Sequence, residues 1–447
     1  MQQSLIRFIL ILLPISILAC SNNEPKSSYV PDFEISEHPS DANVYVFENT
    51  TEGEHFFWRW EFGNGDRTDR EPVETNPISS FYPEKGTYEV TLTIWGSSSD
   101  LADNKAVTRQ LTVSDDVFNA AFSVEAVAGK VNTYALSNQT DGEYEHITWL
   151  VNGKELEEAN QTVEVYFPFK GKNEVSLVVS VGDYQKEVTE TVDVATDDPD
   201  FKSHYTLVWN DEFDGNVIDT DKWKFETGQH GWGNNEWQNY TDGANVEVSD
   251  GTLKITAKLV GEGQKVGDYT STRLNSKKSF TYGLYEVKAK MPEEKGPGHW
   301  PAIWMLGESI QNGTSWPLCG EIDIMEYVSW DPNMTSSSIH TQSNNHAQGN
   351  PIGSGHLPLE TAEEEFHVYG FIWTENFLRF YRDDVDNVIL TYNKPTNPNQ
   401  ENWPFDEPFY YLLNVAVGGM YGGVNGVDDS IFPASMEVDY VRVYQID

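Results

Sequence analysis

Apolar and polar residues alternate one for one along much of the chain. They do so strictly from Tyr88 to Ile94 and from Thr252 to Ala257, and with breaks from Gly283 to Ala289 and from Met436 to Tyr444. Side chains on a strand point to opposite faces in turn, so each stretch predicts a strand with one buried face. Gly, Asn and Asp gather between these runs, as turns require. No long stretch repeats at the helical period. The predicted fold class is all-β.

The runs fall into three regions. The first spans 29–114 and the second 116–195. A short acidic stretch with one proline, 196–204, reads as a linker to the third, 205–447. The two small regions each predict a compact Ig-like sandwich. The third, about 240 residues of short strands, predicts one large two-sheet sandwich or jelly roll. The second region repeats landmarks of the first. Ile147-Thr-Trp149 stands where Trp58-Arg-Trp60 stood, and Tyr166-Phe-Pro-Phe-Lys-Gly171 where Phe81-Tyr-Pro-Glu-Lys-Gly86 stood.

The chain opens on a different pattern. One Arg and an apolar run end in Leu18-Ala19-Cys20. The run is too short to span a bilayer and has the length of an export signal. Its end resembles a bacterial lipobox, which implies cleavage of 1–19, acylation of Cys20 and a polar tether over 20–28. The expected location is an outer-membrane lipoprotein of Bacteroidetes type, exposed at the cell surface and anchored by lipid.

Charge narrows the partners. Lys and Arg total 29 against 71 Asp and Glu, a formal net charge of −42. Duplex binding needs clustered cations, so nucleic acid is not an expected partner. A neutral polysaccharide is indifferent to this field. With Cys319 the only cysteine besides Cys20, no disulfide framework exists. Aromatics make up 13% of the chain, which argues against disorder.

The chemistry concentrates in Gly320-Glu-Ile-Asp-Ile-Met-Glu-Tyr327. On a regular strand Glu321 and Asp323 share a face and Glu326 points away. One extra residue at Ile324-Met325, a β-bulge, returns Glu326 to that face. A row of like charges costs stability, so it calls for a reason. By pattern alone, the row suits a solvated acidic face, a calcium site or catalysis. Retaining glycoside cleavage needs two close carboxyl groups, one a nucleophile and one an acid that turns base. Glu321 and Glu326 fit those roles, with Asp323 between them orienting one and keeping the other protonated.

Two resemblances sharpen this reading. Trp58-Arg-Trp-Glu-Phe-Gly-Asn-Gly-Asp66, Phe81-Tyr82 and Lys85-Gly-Thr-Tyr-Glu-Val90 resemble the PKD family; the second region is a divergent copy. A spacer role is expected for both, with glycan binding through Trp58 or Trp95 as the alternative. The third region resembles glycoside hydrolase family 16, specifically its laminarinase-like members. The resemblance rests on Trp209-Asn-Asp-Glu-Phe-Asp-Gly215, Gly231-Trp-Gly-Asn-Asn-Glu236, Tyr269-Thr-Ser-Thr-Arg273, Trp300-Pro-Ala-Ile-Trp-Met-Leu-Gly307, Trp316-Pro-Leu-Cys-Gly-Glu-Ile-Asp-Ile-Met-Glu326, Ile339-His-Thr341, Leu413-Asn-Val-Ala-Val-Gly-Gly419 and Val438-Asp-Tyr-Val-Arg-Val-Tyr444.

That resemblance implies a concave jelly roll, an open cleft and double displacement, with Glu321 as nucleophile, Asp323 as helper and Glu326 as acid/base. It places Trp300, Trp304 and Trp316 as sugar-stacking rings, Arg273 and Asn235 as polar cleft residues, and His340 beside the catalytic strand. It also implies a structural calcium on the convex face at Glu212, the backbone of Gly251 and Asp439, with no cofactor for catalysis. Extra residues over 295–300 and 308–315 border the cleft and bear on the exact substrate. The expected function is endo-hydrolysis of β-1,3-glucan such as laminarin by a monomer. Mixed-linkage glucan or an agar-type galactan is the alternative substrate, and a non-catalytic glycan-binding lipoprotein the alternative class.

Overall fold

Nearly every alternating run finds an antiparallel partner. The computed structural model describes residues 28–72 and 76–446, so the export signal, Cys20 and most of the tether lie outside the described residues. Contacts divide the chain between Asp198 and Pro199 into two units. Almost all regular structure is strand.

The first unit holds two sandwiches built to one plan, each a three-stranded sheet against a four-stranded one. Trp60 is fully buried in the first sandwich, packed against Phe33, Phe47 and Phe62. Trp149 takes the matching place in the second: Trp60 pairs across to Leu92, and Trp149 to Leu177. Trp58 is core as well, 1% exposed. This removes Trp58 from the alternative glycan-binding surface. Trp58 and Trp60 share the inward parity of the Phe57–Glu61 strand, and Phe57 and Arg59 take the outward one.

The second unit is a two-sheet sandwich of ten and eight strands. One continuous core lies between them. The Ala434–Ile446 strand shows how sequence builds it: Met436, Val438, Val441 and Val443 are buried while Glu437 and Asp439 face outward. Each such side chain contributes about 1.5–3 kcal/mol on burial. The eight-stranded sheet keeps its other face for the cleft. Its order runs Trp223–Glu226, Arg273–Phe280, Phe409–Val417, His299–Gly307, Glu321–Glu326, Met334–His340, Ile352–Gly353, and the eighth strand, Leu357–Pro358, also pairs with Met334–His340.

Candidate active site

The Glu321–Glu326 strand lies between His299–Gly307 and Met334–His340. Trp304 faces Asp323 but Ile303 faces Met325, so Ile324 is an extra residue. The register against the other neighbour slips at the same place. This is the bulge that the spacing predicts. Ile322, Ile324 and Met325 enter the core, and Glu321, Asp323 and Glu326 line the cleft together. Ser337 Oγ donates to the Ile324 carbonyl at 2.8 Å, giving that carbonyl a partner where the ladder is interrupted. Gly320 enters the strand at φ +80°, where a Cβ would come within 2.6 Å of Pro404 and 2.8 Å of the Phe409 ring. Only glycine fits there.

The three acids share their partners. Ser338 Oγ lies 2.6 Å from Asp323 Oδ2 and 3.1 Å from Glu326 Oε2. His340 Nε2 is 3.1 Å from the same Asp323 oxygen and 3.8 Å from Glu321 Oε1. Trp316 Nε1 donates to Glu321 Oε2 at 3.0 Å. Burial raises the pKa of Glu321, the charge of Asp323 adds to it, and His340 and Arg273 oppose it. Burial and Asp323 likewise raise Glu326, opposed by His340, Ser338 and Trp300. Two close carboxylates that resist joint ionisation suit one acid and one base. Burial alone would lower His340; the hydrogen bond and charge of Asp323, with Glu321 and Glu326 behind it, push it up to about 9. The His346 amide donates to Nδ1 at 3.3 Å, so in this arrangement the ring proton sits on Nε2 and faces Asp323.

The cleft encloses about 670 Å³ and is lined by Trp300, Trp304 and Trp316 as expected. Arg273 lies between two rings, 4.7 Å from Trp304 and 4.9 Å from Trp232, and its Nε donates to Glu226 at 2.6 Å. Planar guanidinium suits such a stack. Ile310 reaches the cleft from the Glu308–Asn312 turn, which bears out the placement of that insertion. Cys319 is buried, and burial with the Glu321 charge pushes its thiol up to about 12; it packs and does not react.

Asn235 is a correction. It is exposed and does not line the cleft, whereas Asn234 and Glu236 do. The tight turn from Gly231, with Asn235 itself at φ +55°, decides which side chains face in. Glu236 is buried, and Gln238 and Tyr240 donate to its Oε2 at 2.6 and 3.2 Å. Sequence reasoning also missed His230, which carries no motif and packs on Trp232, and Ser338. A third omission is the wall made by His356, whose ring bonds Asp331 and, at 2.6 Å, the Tyr421 hydroxyl. The calcium set lies outside the cleft. Arg442 takes both oxygens of Glu212 at 2.9 and 2.8 Å, and Lys288 sits 2.7 Å from Asp439. Both carboxylates are thus already matched by cations, and calcium using them would have to compete with Arg442 and Lys288.

Residues 205–446 match the family model described as the GH16 domain of β-porphyranases A–D, and 39–109 match the PKD domain. A β-glucanase of Rhodothermus marinus is 42% identical over 260 residues, 56% of this chain and 89% of that protein. A glucan endo-1,3-β-glucosidase A1 of Niallia circulans is 38% identical over 259 residues, 54% of this chain and 38% of that protein. Among solved structures, SCLam, a non-specific endo-β-1,3(4)-glucanase, is 39% identical with a TM-score of 0.50, covering 55% of this chain and 92% of that one. By its larger unit, the chain belongs to glycoside hydrolase family 16.

Proposed function

We propose that the protein is an endo-acting, retaining hydrolase of β-1,3-glucan. One observation carries this reading: the bulge sets Glu321, Asp323 and Glu326 on one cleft wall, with Ser338 bonded to Asp323 and Glu326 and His340 placed between Asp323 and Glu321. Glu321 attacks the anomeric carbon while Glu326 protonates the departing oxygen. Glu326 then takes a proton from water, which releases the sugar from Glu321. Asp323 is held by His340 and Ser338, and its charge helps keep the proton on Glu326. Trp300, Trp304 and Trp316 offer ring faces to successive sugars.

The family model's description raises a sulfated galactan as a second reading. The cleft favours the neutral glucan. Among its described lining residues Arg273 is the only Lys or Arg, and Glu226 already neutralises it. The names of the β-glucanase relatives support the same choice.

Anchoring through Cys20 at the outer surface is part of the proposal and rests on the opening sequence; a monomeric state is proposed with it. A calcium at Glu212, Gly251 and Asp439 is proposed as structural only; its signature is a melting temperature changed by chelation with kcat unchanged. The test of function is product analysis after incubating the protein with laminarin, lichenan, agarose and porphyran. A mixed-length ladder of β-1,3 oligosaccharides from laminarin is expected. Products from a galactan alone, or from none of the four, would overturn the reading.

A further inference from the structure

Ser338 touches two of the three acids and has one proton to give. It sits opposite Asp323 in the antiparallel register, two residues from His340 on the same face. The bulge swings Glu326 to that face, so one hydroxyl reaches Asp323 at 2.6 Å and Glu326 at 3.1 Å. Ser338 is 9% exposed and Asp323 4%, so this hydroxyl contact is made away from bulk solvent. A hydroxyl donates once and accepts twice. Between two carboxyl groups it therefore has two settings, and the protonation of Glu326 selects which.

We infer that Ser338 is a positioning residue for the acid/base step, a hydroxyl that turns between Asp323 and Glu326 as the proton leaves and returns. The inference rests on the reading of Glu326 as the acid. In the resting enzyme Glu326 carries the proton and gives it to Ser338 Oγ, while Ser338 gives its own to the Asp323 carboxylate. His340 Nε2–H makes the second bond to that carboxylate. When substrate binds, the Glu326 proton turns from Ser338 Oγ to the glycosidic oxygen; as Glu321 bonds to the anomeric carbon, that proton passes to the departing oxygen, which takes the electron pair of the broken C–O bond. Glu326 is now an anion, and Ser338 turns to donate to it. Asp323 keeps its bond from His340 and is not stranded. When water attacks the glycosyl-enzyme, Glu326 takes its proton and Ser338 turns back. Atoms and charge balance at each step, and Ser338 never loses its proton.

The groups facing Glu326 are Asp323 and Glu321 on its own strand, His340 from the next, and Tyr421 from the Gly419–Gly422 turn. Of the side chains named here, Ser338 is the one bonded to both Asp323 and Glu326. Its removal should therefore act on proton transfer and leave nucleophilic attack intact.

The experiment compares laminarin with a 2,4-dinitrophenyl β-laminaribioside, whose leaving group departs without a proton. For Ser338→Ala, kcat/KM on laminarin is expected to fall by roughly 10- to 100-fold, a part of what general acid catalysis supplies. On the dinitrophenyl substrate it should stay within about threefold of the native enzyme. Ser338→Thr, which keeps the hydroxyl, should restore the laminarin rate. Equal falls on both substrates, or no fall on laminarin, would overturn the inference. Glu326→Ala is the control. It must show the same split more strongly, and if it does not, the assignment of Glu326 itself fails and takes this inference with it. Melting temperatures of the variants separate a folding defect from a lost contact.

Discussion

Trp316 and Glu321 are joined: the indole N–H meets the carboxylate at 3.0 Å. In the proposed mechanism one side chain therefore offers a sugar platform and stabilises the anion that attacks. A hydrogen bond to a charged group contributes about 1.5–3 kcal/mol. Trp316→Phe keeps a ring and removes the donor. Its kcat should fall by about 10-fold or more, and the acid limb of kcat/KM should move to higher pH, because ionised Glu321 loses support. Trp316→Ala should add a rise in KM. An acid limb that stays in place would show that the bond does not matter to the nucleophile.

His340 makes a separate prediction with its own sign. Its pKa is pushed up to about 9, and when protonated its charge lowers both Glu321 and Glu326. Replacing His340 by Gln removes that charge. Both carboxyl groups then titrate higher. The acid limb reports Glu321 losing its proton and the basic limb Glu326 losing its own, so the whole bell should move to higher pH. A shift of about one unit is expected for a charge this close. A profile that narrows or stays fixed would mean that His340 acts as the neutral ring.

These two residues mark how far the sequence could be read. The acids at 321, 323 and 326 are legible because all lie on one short strand, where parity alone demands a bulge. Trp316 and His340 are legible through motif resemblance. Ser338 is not, because its role depends on a register between two strands, and nothing in Thr-Ser-Ser-Ser-Ile says which hydroxyl stands opposite Asp323. Asn235 was misplaced because backbone angles in a six-residue turn choose between neighbouring side chains. Trp58 was misplaced although its parity with buried Trp60 was visible in the alternation. The His356–Tyr421 wall joins segments far apart in the chain, which no local pattern records.

Glu236 tests burial without catalysis. The side chain lies in the cleft wall, and burial raises its pKa against the donors Gln238, Asn234 and Tyr240 and the charge of Arg273. A carboxyl raised on folding contributes stability that is fully present below its unfolded pKa, about 4.3, and lost as pH rises through the folded value. Glu236→Gln stays neutral and escapes that loss. The melting temperature of the variant's catalytic unit, relative to native, should therefore rise between about pH 4 and neutrality. Calorimetry across that range decides it, and a difference that does not vary with pH would mean that Glu236 titrates alike in the folded and unfolded states.

The last prediction concerns the first sandwich. Trp60 is fully buried, with its ring stacked on Phe62 at 6.1 Å and edge-on to Phe33 at 4.9 Å. Trp60→Ala should cost about 3–5 kcal/mol, a large share of the 5–15 kcal/mol that holds a typical domain. The catalytic residues all lie after Pro199, in a unit with its own core. Calorimetry of the full chain should therefore show an early transition falling sharply and the transition of the catalytic unit unmoved. If the first sandwich is a spacer, kcat and KM on soluble laminarin should match the native values at temperatures below both transitions. A KM that rises with the loss of the sandwich would instead assign it a part in holding glycan. Trp58→Ala, in the same core, should reproduce whichever result appears.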